Sequence, residues 1–152
     1  MKNEKAIEVL NSLITINNDR IEGYKTASEA TEENDLKKLF SQFISTSQKC
    51  KQELSVEVKA LGGDTTEGTK ASGKFFRVWM DVKAALTGKD RKAILESCEY
   101  GEDKAKEAYA DVIENKLEHL TVKQKDMIIY QKSLFKNDFG YLKVMNEELV
   151  KA

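Results

Sequence analysis

The chain has 152 residues, 34% of them charged and 40% hydrophobic, with a formal net charge of −1. That length fits one domain able to bury a real core, and the charge balance provides no basic field for nucleic acid. No apolar run approaches the roughly 18 residues of a membrane span, and the opening stretch MKNEKAIEVL lacks a signal-peptide core. Two cysteines do not make a disulfide framework. The expectation is one cytoplasmic domain over residues 1–152, with reduced thiols, no nucleic-acid partner and no membrane span.

The chain contains no proline, which permits long uninterrupted helices. The first helix is expected from about Glu4 to about Thr31, with Asn3 as N-cap. Its apolar face is read as Ile7, Leu10, Leu13, Ile14, Ile21 and Tyr24, which recur at three- and four-residue steps. The second should begin near Asp35, a good cap, and stop at Gly62 and Gly63. Leu36, Leu39, Phe40, Phe43, Leu54, Val58 and Leu61 form its stripe.

Gly62, Gly63, Gly68, Gly73 and Gly88 then mark one extended irregular region. Within it, KFFRVWMDVKAAL reads as a short amphipathic helix, ended by TGKD, with Asp90 placed to cap the next helix. This third long helix is expected over about Arg91 to Asn115, with Ile94, Leu95, Cys98, Ala105, Tyr109 and Val112 inward. The fourth starts after Thr121, where TVKQ fits a capping box. Its stripe is read as Met127, Tyr130, Leu134, Tyr141, Leu142, Met145 and Leu149. Short turns make the first and second helices antiparallel neighbours, and the third and fourth likewise. The segment from Gly62 to Lys89 is long enough to run the length of a bundle.

At about 100° per residue, several polar side chains fall on the apolar faces near the helix midpoints. They are Asn17 on the first helix, Ser47 on the second, and Gln131 and Asp138 on the fourth. Cys50 and Lys51 flank the face of the second helix. Gly101 and Glu102 straddle the centre line of the third, beside Cys98 and Ala105. Midpoints meet in a bundle, so these residues predict one polar layer across an apolar core. An isolated buried carboxylate costs several kcal/mol, so Glu102 and Asp138 need compensation. A metal ion, an ion pair with Lys51, or a proton shared between the two would each supply it.

The stretches LNSLITINNDRIEGYKTASEA, ELSVEVKALGGD and RVWMDVKAALTGKDRKAILESCEYGEDKAKEAY resemble the bacterial domain-of-unknown-function family numbered 2383. The most specific parts are Trp79 to Gly88 and CEYGED. The resemblance implies an all-α, ferritin-like four-helix bundle with a long crossover that contains the short extra helix. From the resemblance alone comes the idea of a stress-associated role.

A ferritin-like di-iron centre needs a Glu from each of two helices and a Glu-x-x-His from each of the other two. This chain has one histidine, His119, at the turn before the fourth helix, and no Glu-x-x-His. Asn17, Ser47 and Cys50 stand at the waist where ligands are wanted, and Glu22 points away. Only Glu102 and Asp138 remain as oxygen donors. The expectation is a non-catalytic stress-associated or scaffold bundle with no cofactor. The alternative is a metal-binding or oxidative protein holding one ion at Glu102 and Asp138; a third reading is a binder of a small apolar ligand at the waist. Cys50 and Cys98 read as buried small hydrophobes. Self-association is expected, through Phe75, Phe76 and Trp79 of the short helix.

Overall fold

A computed structural model of the chain describes residues 2–66 and 91–151. Among them are four long helices: α1 (Lys2–Ala30), α2 (Asn34–Ala60), α3 (Arg91–Asn115) and α4 (Val122–Lys151). One 3₁₀ turn, Leu117–His119, precedes α4, and no strand occurs among the described residues. The predicted crossover helix, its aromatic residues Phe75, Phe76 and Trp79, and the Asp90 cap lie outside the described residues.

Each helix buries a seam spaced alternately by three and four residues. On α1 it runs Leu10, Leu13, Asn17, Arg20, Tyr24, Ala27, and on α3 it runs Cys98, Glu102, Ala105, Tyr109, Val112. That is the spacing by which antiparallel bundles interdigitate. The core falls into two apolar clusters. In one, Leu10, Leu13 and Ile14 meet Leu54 and Val58 of α2, Tyr109 and Val112 of α3, and Ile128 of α4. In the other, Tyr24 and Ala27 meet Leu36 and Phe40, Ile94 and Leu95, and Leu142. The early half of α1 thus packs with the late halves of α2 and α3 and the early half of α4. α1 therefore runs antiparallel to α2 and α3, and α4 runs antiparallel to those same two. The chain leaves α2 at one end of the bundle and begins α3 at the other.

The termini of the helices show how the sequence enforces this. Gly62 has φ +82°, the left-handed conformation that glycine adopts without a Cβ penalty. Its N–H donates to the Lys59 carbonyl at 3.0 Å, and the Gly63 N–H donates to Val58 at 3.0 Å. Together these form the double closure of a Schellman motif. Gly63 is also pressed on α1, since a Cβ there would lie 2.7 Å from Ile7. Beyond it Asn11 donates to the Asp64 carbonyl at 3.0 Å and accepts from the Thr66 N–H at 3.1 Å, fixing the departing chain along α1. The predicted capping box is present. The Thr121 N–H donates to Gln124 Oε1 at 3.0 Å, and the Gln124 N–H donates to Thr121 Oγ1 at 3.1 Å.

Three local expectations are corrected. Helix α1 already begins at Lys2, so Asn3 lies in its first turn rather than capping it. Helix α2 is preceded by Glu33, and Asp35 lies one residue inside. There Asp35 suits the positive end of the helix dipole and pairs with Arg91, which draws its carboxyl below the ordinary value. On α4, Tyr130 and Tyr141 are about half exposed, at 51% and 55%. The buried seam is Gln124, Ile128, Gln131, Phe135, Asp138 and Leu142. Polar residues occupy every second position of that seam, so an apolar-only pattern draws in Tyr130 and Tyr141, while Leu142 is buried and Met127, Leu134 and Met145 pack against the core as expected.

Candidate functional site

The two apolar clusters are separated at mid-bundle by a cluster built around Arg20. Its seam position on α1 aims the side chain inward, and the whole residue is fully buried. From α3, Glu102 meets it: Nε donates to Oε1 at 3.0 Å, and one terminal nitrogen donates to Oε1 at 2.7 Å and Oε2 at 2.9 Å. The same nitrogen lies 3.3 Å from Oδ2 of Asp138 on α4. The other terminal nitrogen turns to α2, donating to Ser47 Oγ at 2.5 Å and to the Phe43 carbonyl at 3.3 Å. Tyr24, one turn along α1, donates its hydroxyl to Glu102 Oε1 at 2.6 Å. One guanidinium therefore ties all four helices together, and the planar fork of arginine matches the carboxylate in a way that a lysine ammonium does not.

Aromatic rings complete the enclosure. The guanidinium carbon lies 4.3 Å from the centre of the Phe135 ring, with Phe43 and Tyr24 at 5.8 and 5.6 Å. These faces supply a partly electrostatic lining while excluding water.

The charges in this pocket do not cancel. One guanidinium faces two carboxylates. Burial, opposed by Arg20, pushes both Glu102 and Asp138 above their ordinary values. Burial opposes the charge on Arg20 too, but Glu102, Tyr24 and Asp138 hold it firmly protonated. Glu102 accepts three short contacts from Arg20 and one from Tyr24. Asp138 accepts longer ones, from Arg20 and, at 3.5 Å, from Gln42, with further support from the Thr46 hydroxyl. A proton taken up by the cluster is therefore better held by Asp138, whose ionised form has less to lose.

A second, uncharged layer lies one turn toward the first cluster. Asn17 donates to the Tyr109 hydroxyl at 2.9 Å, and Tyr109 donates to Gln131 Oε1 at 2.7 Å. Gln131 in turn donates to the Cys50 carbonyl at 3.3 Å and to Glu53 at 3.2 Å. Phe135 sits between the layers, its ring 4.8 Å from that of Tyr109. One buried atom here, Asn17 Oδ1, has no hydrogen-bond partner.

The structure thus brings Asn17, Ser47, Glu102, Gln131 and Asp138 to the waist, in two layers rather than one. The cation that meets both carboxylates is Arg20, and Lys51 lies half-buried on α2 away from that role. Arg20 was detectable. It stands three residues after Asn17 and four before Tyr24, in step with the seam, and only its charge disguised it. Cys50 and Cys98 are free and buried, in different apolar clusters. Burial raises both thiols, Cys50 to about 12, which leaves them protonated and unreactive. His119 is outside the waist, beside Glu118 at 3.3 Å. Among the described residues, no group of three or more His, Cys, Asp or Glu side chains is placed to hold a metal ion.

Fold and site together define an all-α four-helix bundle protein with an ion-pair hub at its centre. The sequence profile of the family described as Domain of unknown function (DUF2383) matches residues 5–115, and the chain belongs to that family. The match takes in α1 to α3, including Arg20, Ser47 and Glu102, while Gln131 and Asp138 lie beyond it on α4. No curated protein and no solved structure matched the chain. No helix among the described residues is long and apolar enough to cross a membrane.

Proposed function

We propose that this protein is a non-catalytic, cytoplasmic, stress-associated or scaffold bundle of ferritin-like architecture, which self-associates and uses its waist as a structural lock. The observation that carries this reading is the bidentate grip of Arg20 on Glu102. A metal ion at the waist would need the same carboxylate oxygens. A fixed guanidinium already supplies positive charge there and repels a second cation. The antiparallel arrangement, with the chain passing from one end of the bundle to the other between α2 and α3, supports the ferritin-like part. The stress association rests on the family resemblance.

The alternative is a metal-binding or oxidative protein with a reduced site formed by Glu102 and Asp138, favoured only by the excess of one carboxylate over the single cation. Elemental analysis of protein isolated without chelators separates the two. The lock predicts less than about one metal ion in ten chains, far below what a specific carboxylate site retains. One ion per chain, lost in Glu102→Gln, would overturn it.

A further inference from the structure

The helices pair in chain order. A short turn joins α1 to α2 and another joins α3 to α4, whereas residues 61–90 separate the two hairpins. Among the described residues, every ion pair between groups far apart in sequence runs from one hairpin to the other. At the end of the bundle where α1 turns into α2, Arg91 of α3 meets Glu33 and Asp35. At the waist, Arg20 meets Glu102 and Asp138. At the other end, Lys123 of α4 meets Glu57 of α2 at 3.5 Å.

The signs alternate along this contact. The α1–α2 hairpin presents negative, positive and negative charge at the three levels, and the α3–α4 hairpin presents the reverse. Two copies of one hairpin matched level for level would set Arg20 against Arg20, or the Glu102 and Asp138 carboxylates against their own kind. A dry core strongly opposes such like-charge contacts, so each hairpin selects the other kind. Part of the code is set before the hairpins meet. Ser47 and the Phe43 carbonyl, both on α2, hold one terminal nitrogen of Arg20, while Nε and the other terminal nitrogen face Glu102. The neutral layer crosses the same boundary, from Asn17 to Tyr109 and from Gln131 to Glu53.

Nothing in this code depends on the two hairpins belonging to one chain. We propose that the α3–α4 hairpin of a second copy docks on α1–α2 in place of the chain's own, so that two chains exchange hairpins and build each waist jointly. Arg20, Tyr24 and Ser47 then come from one chain, and Glu102 and Asp138 from the other. Exchange of an identical element creates a dimer from contacts the single chain already makes. The proposal rests on the self-association in the reading above and gives it a surface, the core itself rather than the crossover segment the sequence suggested. Two modules on one chain face each other at an effective concentration of the order of millimolar, so exchange requires chains refolded together near that level, or a difference that favours mixed waists.

Complementation between full-length variants tests it. Arg20→Met leaves two buried carboxylates without a cation, and the double variant Glu102→Leu with Asp138→Leu leaves a buried cation without a carboxylate. Unfolded and refolded as an equal mixture, the two should form mixed dimers. One waist then regains Arg20 with Glu102 and Asp138, and the other carries only the apolar replacements. The mixture should melt at least about 6 °C above either variant alone, and should sediment as a dimer. A second measurement leaves the hub intact. Chains with Asp35→Cys and chains with Arg91→Cys, refolded together at about 1 mM, should be joined by a short bismaleimide far more than when folded separately and then mixed. Cys50 and Cys98 are fully buried and stay out of that reaction. A wild-type chain that stays monomeric after refolding at about 1 mM overturns both this proposal and the self-association. A wild-type dimer with no gain on mixing the variants, and no excess of joined chains, overturns the exchange alone.

Discussion

The two polar layers at the waist solve one problem by different means. The uncharged layer passes a single chain of hydrogen bonds from Asn17 through Tyr109 to Gln131, and leaves Asn17 Oδ1 unpaired. The charged layer gathers donors of Arg20 onto groups from three other helices and adds the Tyr24 hydroxyl. A neutral layer tolerates an incomplete set, because one missing partner costs about 1–3 kcal/mol. A charged layer does not, because removing one member exposes the others as uncompensated buried charges. The first should fail gradually, the second all at once.

The sharpest way to break that contrast is Arg20→Met. It leaves Glu102 and Asp138 buried without a cation, and the expected loss is about 3–5 kcal/mol in denaturant titrations. That is a large share of the roughly 5–15 kcal/mol that holds a domain together. Adding Glu102→Leu and Asp138→Leu to Arg20→Met should return most of the loss, since the remaining charges go with their partner. A triple variant no more stable than the single one would show that the hub contributes more than charge balance.

Protonation gives a second test. Burial raises Glu102 and Asp138, and it raises Asp19, which is nearly buried and has one oxygen without a partner, to about 6. A carboxyl whose value is higher in the folded chain holds its proton more tightly there than when unfolded. Stability must then rise as pH falls through the folded value, and level off once the ordinary value of 3.8 for aspartate is reached. Thermal melts should climb by about 2–6 °C between about pH 7.5 and pH 5. Asp19→Asn and Asp138→Asn should each flatten the slope. A melting temperature that falls on acidification over that range would contradict the assignment.

Smaller effects belong to the neutral layer and the surface. Tyr109→Phe removes the hydroxyl that links Asn17 to Gln131, and should cost about 1–2 kcal/mol without changing the pH profile. Arg91→Ala breaks the bridge to Glu33 and Asp35, where the carboxylates are about half exposed, at 47% and 53%. Solvent screens that bridge, and its loss should cost less than about 1 kcal/mol by double-mutant cycle.

Much of this architecture could be read in the sequence wherever local chemistry is unambiguous. The C-terminal end of α3, the capping box at Thr121 and Gln124, and the glycine stop at Gly62 depend on residues that act within a few positions. The burial of Glu102 and Asp138 followed from helical spacing. What escaped depends on partners distant in sequence. Arg20 and Glu102 are 82 residues apart, and the seam spacing that turns Arg20 inward does not reveal which residue it meets. The expected stripe of α4 took in Tyr130 and Tyr141 for the same reason. Its buried face carries Gln124, Gln131 and Asp138, tolerated only because α1 to α3 satisfy them.

The three-four seam of α1 also determines which changes of length the chain can accept. One residue inserted between Arg20 and Tyr24 would swing everything after it by about 100°, carrying the Tyr24 hydroxyl away from Glu102 and its ring out of the second cluster. Seven residues inserted there would restore the facing but move Tyr24 about 10.5 Å along the axis, past the level of its partners. Natural variation in the length of this protein should therefore collect outside the seams, in the turns and between α2 and α3.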